Sequence, residues 1–337
     1  MNALTCIAPG KLAYQEIKRP LHTEGNTILK IKRIGICGTD LHAFEGTQPY
    51  FNYPRILGHE LAGEIVETDN AGFHKEELVT IIPYFNCGHC IACRTGKPNC
   101  CISLQVFGVH IDGGMMEYIS VPSYSLLHAQ GLSADELTLV EPFAIGAHAI
   151  RRAGIQKNNF VLIAGAGPIG LAVAAFAQIA GANVIMMDIN QHRLEFCREQ
   201  QRIKYTINAL EEDILFRLKT ITNEDMPSVV IDATGNQKAI NNLFRYMAHG
   251  GKYILVGLQK EPVSFSHPEF HKREATLMSS RNATRQDFEQ VIYCMKEEMI
   301  HPSVYISHRI AFSKVKDAFE SLLNPKQNVI KAVISMD

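Results

Sequence analysis

A chain of 337 residues exceeds what one hydrophobic core usually covers, so two domains are expected. Its 46% hydrophobic and 20% charged residues exclude long disorder, and 33 Lys+Arg against 34 Asp+Glu remove the electrostatic footprint of a general nucleic-acid or membrane-surface binder. The longest apolar run, 160–180, is broken by Gly165, Gly167, Pro168 and Gly170, and residues 1–12 lack the basic-then-apolar pattern of a secretory signal, so a cytoplasmic protein with no membrane partner is expected.

Residues 1–140 show short β-type runs at 27–34, 63–68, 78–82 and 116–121, separated by Gly and Pro, and no sustained helical period. Within this β-rich stretch lie Gly35-Ile36-Cys37-Gly38-Thr39-Asp40-Leu41-His42, then Gly58-His59-Glu60, then a crowd of cysteines at 87, 90, 93, 100 and 101. The pattern changes at Glu141-Pro142. Apolar strands at 160–164, 183–187, 228–232, 252–256 and 276–279 then alternate with helical segments at 168–180, 191–201, 211–220 and 237–247, which predicts a parallel sheet covered by helices on both faces. The tail reads as a helix (286–298), a strand (305–310), a helix (312–323) and a last strand (329–334). The α/β unit therefore reads as inserted into the β-rich one: 1–144 with 284–337 form the first domain, and 145–283 the second.

Gly165-Ala166-Gly167-Pro168-Ile169-Gly170 follows an apolar strand and opens a helix. Gly165 permits a tight turn, Gly167 lets backbone approach a pyrophosphate, Gly170 lets helix and strand pack closely, and the helix start at Pro168 and Ile169 offers N–H groups to phosphates. Asp188 ends the second strand, 18 residues after Gly170, where a carboxylate can accept the adenosine ribose hydroxyls and repel a 2′-phosphate, which predicts NAD over NADP. Arg193, five residues on, is a candidate for the adenosine side.

Cys87, Cys90, Cys93 and Cys101 have the spacing of a closed tetrahedral zinc shell, with Cys100 a rival for the fourth place. Cys37, His59 and the carboxylates Glu60 and Glu141 form a second, dispersed donor set of the kind that leaves a position open on a catalytic zinc. Tyr50, Phe51, Tyr84, Phe85 and Phe107 are candidates for pocket walls.

The order Cys37-Gly-Thr-Asp-x-His42, Gly58-His59-Glu60, four-cysteine lobe, Glu141-Pro142 and GxGxxG resembles the zinc-containing medium-chain alcohol and polyol dehydrogenases over essentially the whole chain. Gly108-Val109-His110-x-Asp112-Gly113-Gly114, Glu141-Pro142-Phe143-Ala144-Ile145, residues 231–237, 267–272 and 280–284 resemble the branch that holds the bacterial L-galactonate 5-dehydrogenases and their starvation-sensing relatives.

The resemblance implies a GroES-like β-rich catalytic domain plus a Rossmann doubly wound parallel sheet, two zincs per chain and NAD. It implies Cys37, His59 and either Glu60 or Glu141 on the catalytic metal, and Cys101 rather than Cys100 on the structural one. It further implies a proton relay from Thr39 to His42, and a homodimer or homotetramer acting on a small sugar acid or polyol, with L-galactonate going to D-tagaturonate the leading expectation. A sorbitol- or threonine-type dehydrogenase on the same machinery is the alternative substrate class, and a nucleotide-sensing protein without turnover is the alternative function. A substrate carboxylate needs a buried cation, for which Arg281, Arg55 and Lys272 are the candidates.

Overall fold

The computed structural model describes residues 1–336, and the chain packs into two units, Met1–Glu141 with Thr284–Asp337, and Pro142–Ala283. The first cut falls in the opening turn of the helix Val140–Ala153, three residues before the expected boundary, so Glu141 belongs to the first unit.

The first unit is built on a seven-stranded sheet in which Asn26–Ile36 is central. That strand pairs antiparallel with Glu60–Thr68, with Tyr118–Pro122 and with the last strand, Lys331–Ser335. Its length and β-branched content suit a strand paired on both sides, and Leu29, Ile31 and Ile34 are at most 1% exposed. Register is decisive for function. Gly35 stands opposite Glu60 on one side and opposite Val333 on the other, so the segment around Lys331 arrives beside residues far away in sequence. Gly35 is required there, because a Cβ at that position would lie 2.1 Å from Glu60 Oε2. A smaller sheet of Lys11–Glu16, Asn2–Ala8 and Arg55–Ile56 completes the unit.

The second unit is a six-stranded parallel sheet, in the spatial order Tyr205–Asn208, Asn183–Asp188, Phe160–Ala164, Val229–Asp232, Lys252–Leu255, Thr276–Ser279. Taken in chain order this is 3-2-1-4-5-6, the doubly wound arrangement whose ligand crevice lies beyond the carboxyl ends of the strands. Leu162, Ile185, Ile207, Val230 and Tyr253 fill its core.

Several expected elements shift for identifiable reasons. The helix predicted from 211 starts at Ile214, because the Asp213 carboxylate caps it by accepting from Phe216 N–H. The helix predicted over 312–323 is a short α-turn, Val315–Ala318, between 3₁₀ turns. Val315, Phe319 and Leu322 keep the helical spacing and are buried, but the Ser321 hydroxyl donates to the Ala318 carbonyl and Leu322 N–H bonds Phe319 O, which tightens the last turn. Among the described residues no helix is long and apolar enough to cross a membrane.

Candidate functional site

The first group of donors is local. Cys87, Cys90, Cys93 and Cys101 bring one sulfur each to within 4.8 Å of one another, and Cys90 and Cys93 lie 3.5 Å apart. The intervening chain makes a four-residue helix, Ile91–Arg94, and a 3₁₀ turn, Pro98–Cys100, which return Cys101 toward Cys87. Cys100 is exposed and Cys101 buried. Backbone N–H groups of Cys87 and Ser103 donate to Cys101 Sγ at 3.3 and 3.4 Å. The N–H groups of Cys93 and Ile102 lower the Cys90 thiol to about 6, those of His89 and Cys90 lower Cys87, and desolvation raises Cys93. Four converging sulfurs, two of them with their thiols lowered by backbone N–H groups, fit one soft tetrahedral cation.

The second group is assembled from five separate segments. Cys37 caps the helix Gly38–Glu45, and its N–H donates to Asp40 Oδ2 at 2.9 Å. His59 and Glu60 enter from the start of the strand Glu60–Thr68, and one ligand atom each from Cys37, His59 and Glu60 lie within 4.8 Å of one another. Glu141, in the first turn of its helix, receives a hydrogen bond from the Tyr84 hydroxyl on Oε1. Lys331 donates from Nζ to both oxygens of Glu60 at 2.6 Å and to Ile36 O at 3.2 Å. His59, Glu60, Glu141, Asp40, Tyr84 and Lys331 are all buried.

So dense a buried cluster perturbs Asp40, His59, Tyr84, Glu141 and Lys331. Burial raises the Asp40 and Glu141 carboxyls, each partly opposed by His59. For His59 burial works against the charged ring, but Cys37 and Asp40 outweigh it and hold the imidazole well above its ordinary value. Burial likewise opposes the Lys331 charge, and Glu60 outweighs it. Burial, then Glu141, pushes the Tyr84 phenol well above the usual range. Within this cluster two buried side-chain atoms, His59 Nδ1 and Glu141 Oε2, have no hydrogen-bond partner among the described residues. A thiol, an imidazole and a carboxylate at ligand spacing, with the bare Glu141 Oε2 in the same cluster, fit a borderline-soft divalent ion.

Thr39 is half-buried and His42 exposed, both on the helix that Cys37 caps. His42 Nδ1 lies 3.2 Å from Thr47 Oγ1 and 3.4 Å from Glu45 Oε2, so its recorded partners are at the surface. Of the aromatic candidates, Tyr84 meets Glu141, Phe85 packs edge-on to Phe107, Phe51 packs edge-on to Tyr53, and Tyr50 is exposed and stacks on His110.

In the second unit, Gly165 has φ +98°, and a Cβ on Gly170 would stand 1.7 Å from Gly165 O, so loop and helix Pro168–Ile179 close on each other only with glycine. Gly167, by contrast, faces open space with only Arg193 Nη1 near it, at 3.8 Å from its built Cβ. Asp188 braces this loop: Oδ2 accepts from Ala166 N–H at 2.5 Å and Oδ1 from Asn190 N–H at 2.8 Å. Among the carboxylate-clamp candidates, Arg55 pairs with Asp112 at 3.3 Å, Lys272 with Glu269 at 4.0 Å, and Arg281 is exposed just beyond the strand Thr276–Ser279.

Sequence reasoning did not single out Asp40 or Lys331, and it gave Tyr84 only a wall position. A lysine inside the apolar run Val329-Ile330-Lys331-Ala332-Val333-Ile334 is the signal that was available for Lys331.

Residues 23–131 match the family "Alcohol dehydrogenase GroES-like domain", and residues 168–297 match "Zinc-binding dehydrogenase". The chain is 42% identical over 337 residues to the L-galactonate-5-dehydrogenase of Escherichia coli K12, covering 99% of both chains. It is 31% identical to the starvation-sensing protein RspB of the same strain, again over 99% of both. A crystal structure of the short chain alcohol dehydrogenase rspB from E. coli CFT073, complexed with NADH, superposes with a TM-score of 0.91 at 29% identity, over 100% of this chain and 99% of that one.

Proposed function

Since the chain belongs to the zinc-type medium-chain alcohol dehydrogenases and is an NAD-dependent alcohol or polyol dehydrogenase, we propose that it oxidises a secondary hydroxyl of a six-carbon sugar acid, taking L-galactonate to D-tagaturonate. The observation that carries the chemistry is the convergence of half-buried Cys37 with buried His59 and Glu60, in the cluster that also holds the bare Glu141 Oε2. The substrate rests on the 42% identity to L-galactonate-5-dehydrogenase along the full chain.

In this proposal Cys37, His59 and one carboxylate hold a catalytic zinc, and Cys87, Cys90, Cys93 and Cys101 hold a structural one. Zinc so held supplies Lewis-acid polarisation that lowers the pKa of a substrate hydroxyl. NAD supplies the hydride acceptor. Asp40 anchors the Cys37 turn and accepts from Gly58 N–H at 3.1 Å, which fixes the segments carrying Cys37 and His59. Thr39 and His42 take the substrate proton outward; the half-buried place of Thr39 and the exposure of His42 support the direction of that relay. Gly165, Gly167, Pro168, Ile169 and Gly170 cradle the pyrophosphate, Asp188 accepts from the ribose, and Arg193 covers the adenosine side. The working state is a cytoplasmic homodimer or homotetramer. A non-catalytic sensor would be expected to have lost a metal donor, and every expected donor is present.

The test is NADH production by zinc-replete protein across aldonates, polyols and amino-alcohols, with Arg281→Ala in parallel. A carboxylate clamp at Arg281 predicts a strongly raised KM for L-galactonate and little change for a neutral polyol. Equal losses on both reject the clamp, and no turnover of any aldonate rejects the substrate class.

A further inference from the structure

The motif His267-Pro268-Glu269-Phe270-His271-Lys272 takes no part in the metal and cofactor chemistry above. It forms the helix His267–Lys272 of the second unit, between the strands Lys252–Leu255 and Thr276–Ser279. Two histidines four residues apart on a helix stand one above the other on one face, a spacing at which two imidazoles reach one metal ion. Here the ring centroids are 5.9 Å apart and the planes cross at 61°. Two imidazoles on one ion, with metal–nitrogen distances of about 2.1 Å, have centres about 4.5–5.3 Å apart, so small side-chain rotations bring this pair to that geometry. Both residues are exposed, and neither ring makes a hydrogen bond or ion pair among the described residues. Their nitrogens face no competitor within the protein.

The helix beneath them is well anchored. Phe270 packs on Phe265 and Phe244 with centroids 4.9 and 6.0 Å apart, and Phe244 stands edge-on to the buried Tyr253. Just past the helix, Gly250 N–H donates to Arg273 O at 2.6 Å, and the Arg273 guanidinium donates to Met247 O at 3.3 Å. A backbone fixed in this way lowers the ordering cost of bringing two donors to one ion. Glu269 lies midway between the histidines in sequence, which places it on the opposite face of the helix, and there it pairs with Arg273 at 2.6 Å. The pair therefore offers imidazole nitrogen without carboxylate oxygen. Such a donor set suits nickel, copper or zinc, and has little to offer magnesium or calcium.

We propose that His267 and His271 chelate one divalent transition-metal ion of the nickel, copper and zinc class on the surface of the second unit, with water completing the shell. This site draws on neither Cys37 and its neighbours nor the four-cysteine lobe, so it stands or falls apart from the metal reading of those centres.

The test titrates Ni2+ into full-length, zinc-replete protein by calorimetry, for the wild type and for His267→Ala, His271→Ala and the double variant. The wild type should bind one Ni2+ that either single variant weakens about a hundredfold, the lower end of the gain from linking two donors. The double variant should add little to either single loss, because one remaining imidazole holds the ion poorly. Excess Mg2+ should not compete, and elemental analysis after the titration should find the zinc still in place. Wild-type protein with no such site overturns the proposal, as does full affinity in either single variant, or nickel taken up only as zinc leaves. Both side chains are exposed, so each variant should melt as the wild type does without nickel. Should one not fold, X-ray absorption at the nickel edge of the wild type decides: two imidazoles on the ion support the site, and one or none overturns it.

Discussion

Asp188 holds the glycine loop and, in the proposed function, also binds the ribose, and one substitution separates the two roles. Its carboxylate accepts from Ala166 N–H at 2.5 Å, which braces the glycine loop, and from Asn190 N–H at 2.8 Å, which holds the turn after its own strand. An ionised carboxylate offers about four acceptor positions, which leaves about two for the ribose hydroxyls. Asp188→Gly removes all of them. Hydrogen bonds to a charged group are worth roughly 1.5–3 kcal/mol each, and Asp188 is only half-buried, so losing the two braces should cost about 2 kcal/mol of stability. Losing the ribose contact should cost NAD+ a further roughly 1.5–3 kcal/mol, about ten- to 150-fold in kcat/KM. NADP+ suffers the same loosening of the loop but is relieved of repulsion at its 2′-phosphate. The NAD+/NADP+ ratio of kcat/KM should therefore fall by about tenfold or more. Initial rates with each cofactor varied, alongside thermal melting, measure the two effects independently. If kcat/KM falls by the same factor for both cofactors, Asp188 is a loop brace alone and the ribose role is refuted. If neither the ratio nor the melting point moves, both roles are.

Three further outcomes are expected. Cys87→Ser opens the four-sulfur set, so elemental analysis should show the lobe's metal lost and melting should show a less stable protein, with a smaller effect on turnover by the molecules that remain folded. Cys37→Ser should abolish turnover while NADH, titrated by fluorescence, still binds, because the glycine loop belongs to the other unit; near-normal turnover would remove Cys37 from the site. Lys331→Met leaves Glu60 buried and unpaired and should cost about 3–5 kcal/mol, most of it recovered when Glu60→Gln is added; a single variant as stable as the wild type would show that the pair is not buried as described.

What sequence could reveal here followed the range of the interactions. The parallel sheet was readable because most of its strands are buried on both faces and appear as apolar runs: the span expected at 160–164 coincides with Phe160–Ala164, four of whose five residues are buried, while 276–279 coincides with the largely exposed edge strand Thr276–Ser279. The cysteine lobe was readable because all four sulfurs lie within one local turn-rich segment. The strands Asn2–Ala8 and Lys11–Glu16 were missed, since the buried run Ala3 to Cys6 does not alternate. The helices Gly38–Glu45 and Val140–Ala153 were missed as well, one being short and glycine-started, the other carrying Pro142 and Gly146.

The different bonding of Glu60 and Glu141 was not legible at all, for a physical reason. The partners of the two carboxylates are remote: Lys331 lies 271 residues from Glu60, and Tyr84 lies 57 from Glu141. Sheet register decides both encounters. The last strand aligns Ala332 with Ile36 and Val333 with Gly35, while Glu60 faces Gly35 from the other side; this alignment brings the Lys331 ammonium onto a carboxylate that local motif reading counts as a free ligand. Slipping that strand by one residue would turn Lys331 to the opposite face of the sheet. The charge would leave Glu60. The surroundings of Glu60 in the N-terminal motif are therefore set by the C-terminal strand, and no spacing within the motifs encodes them.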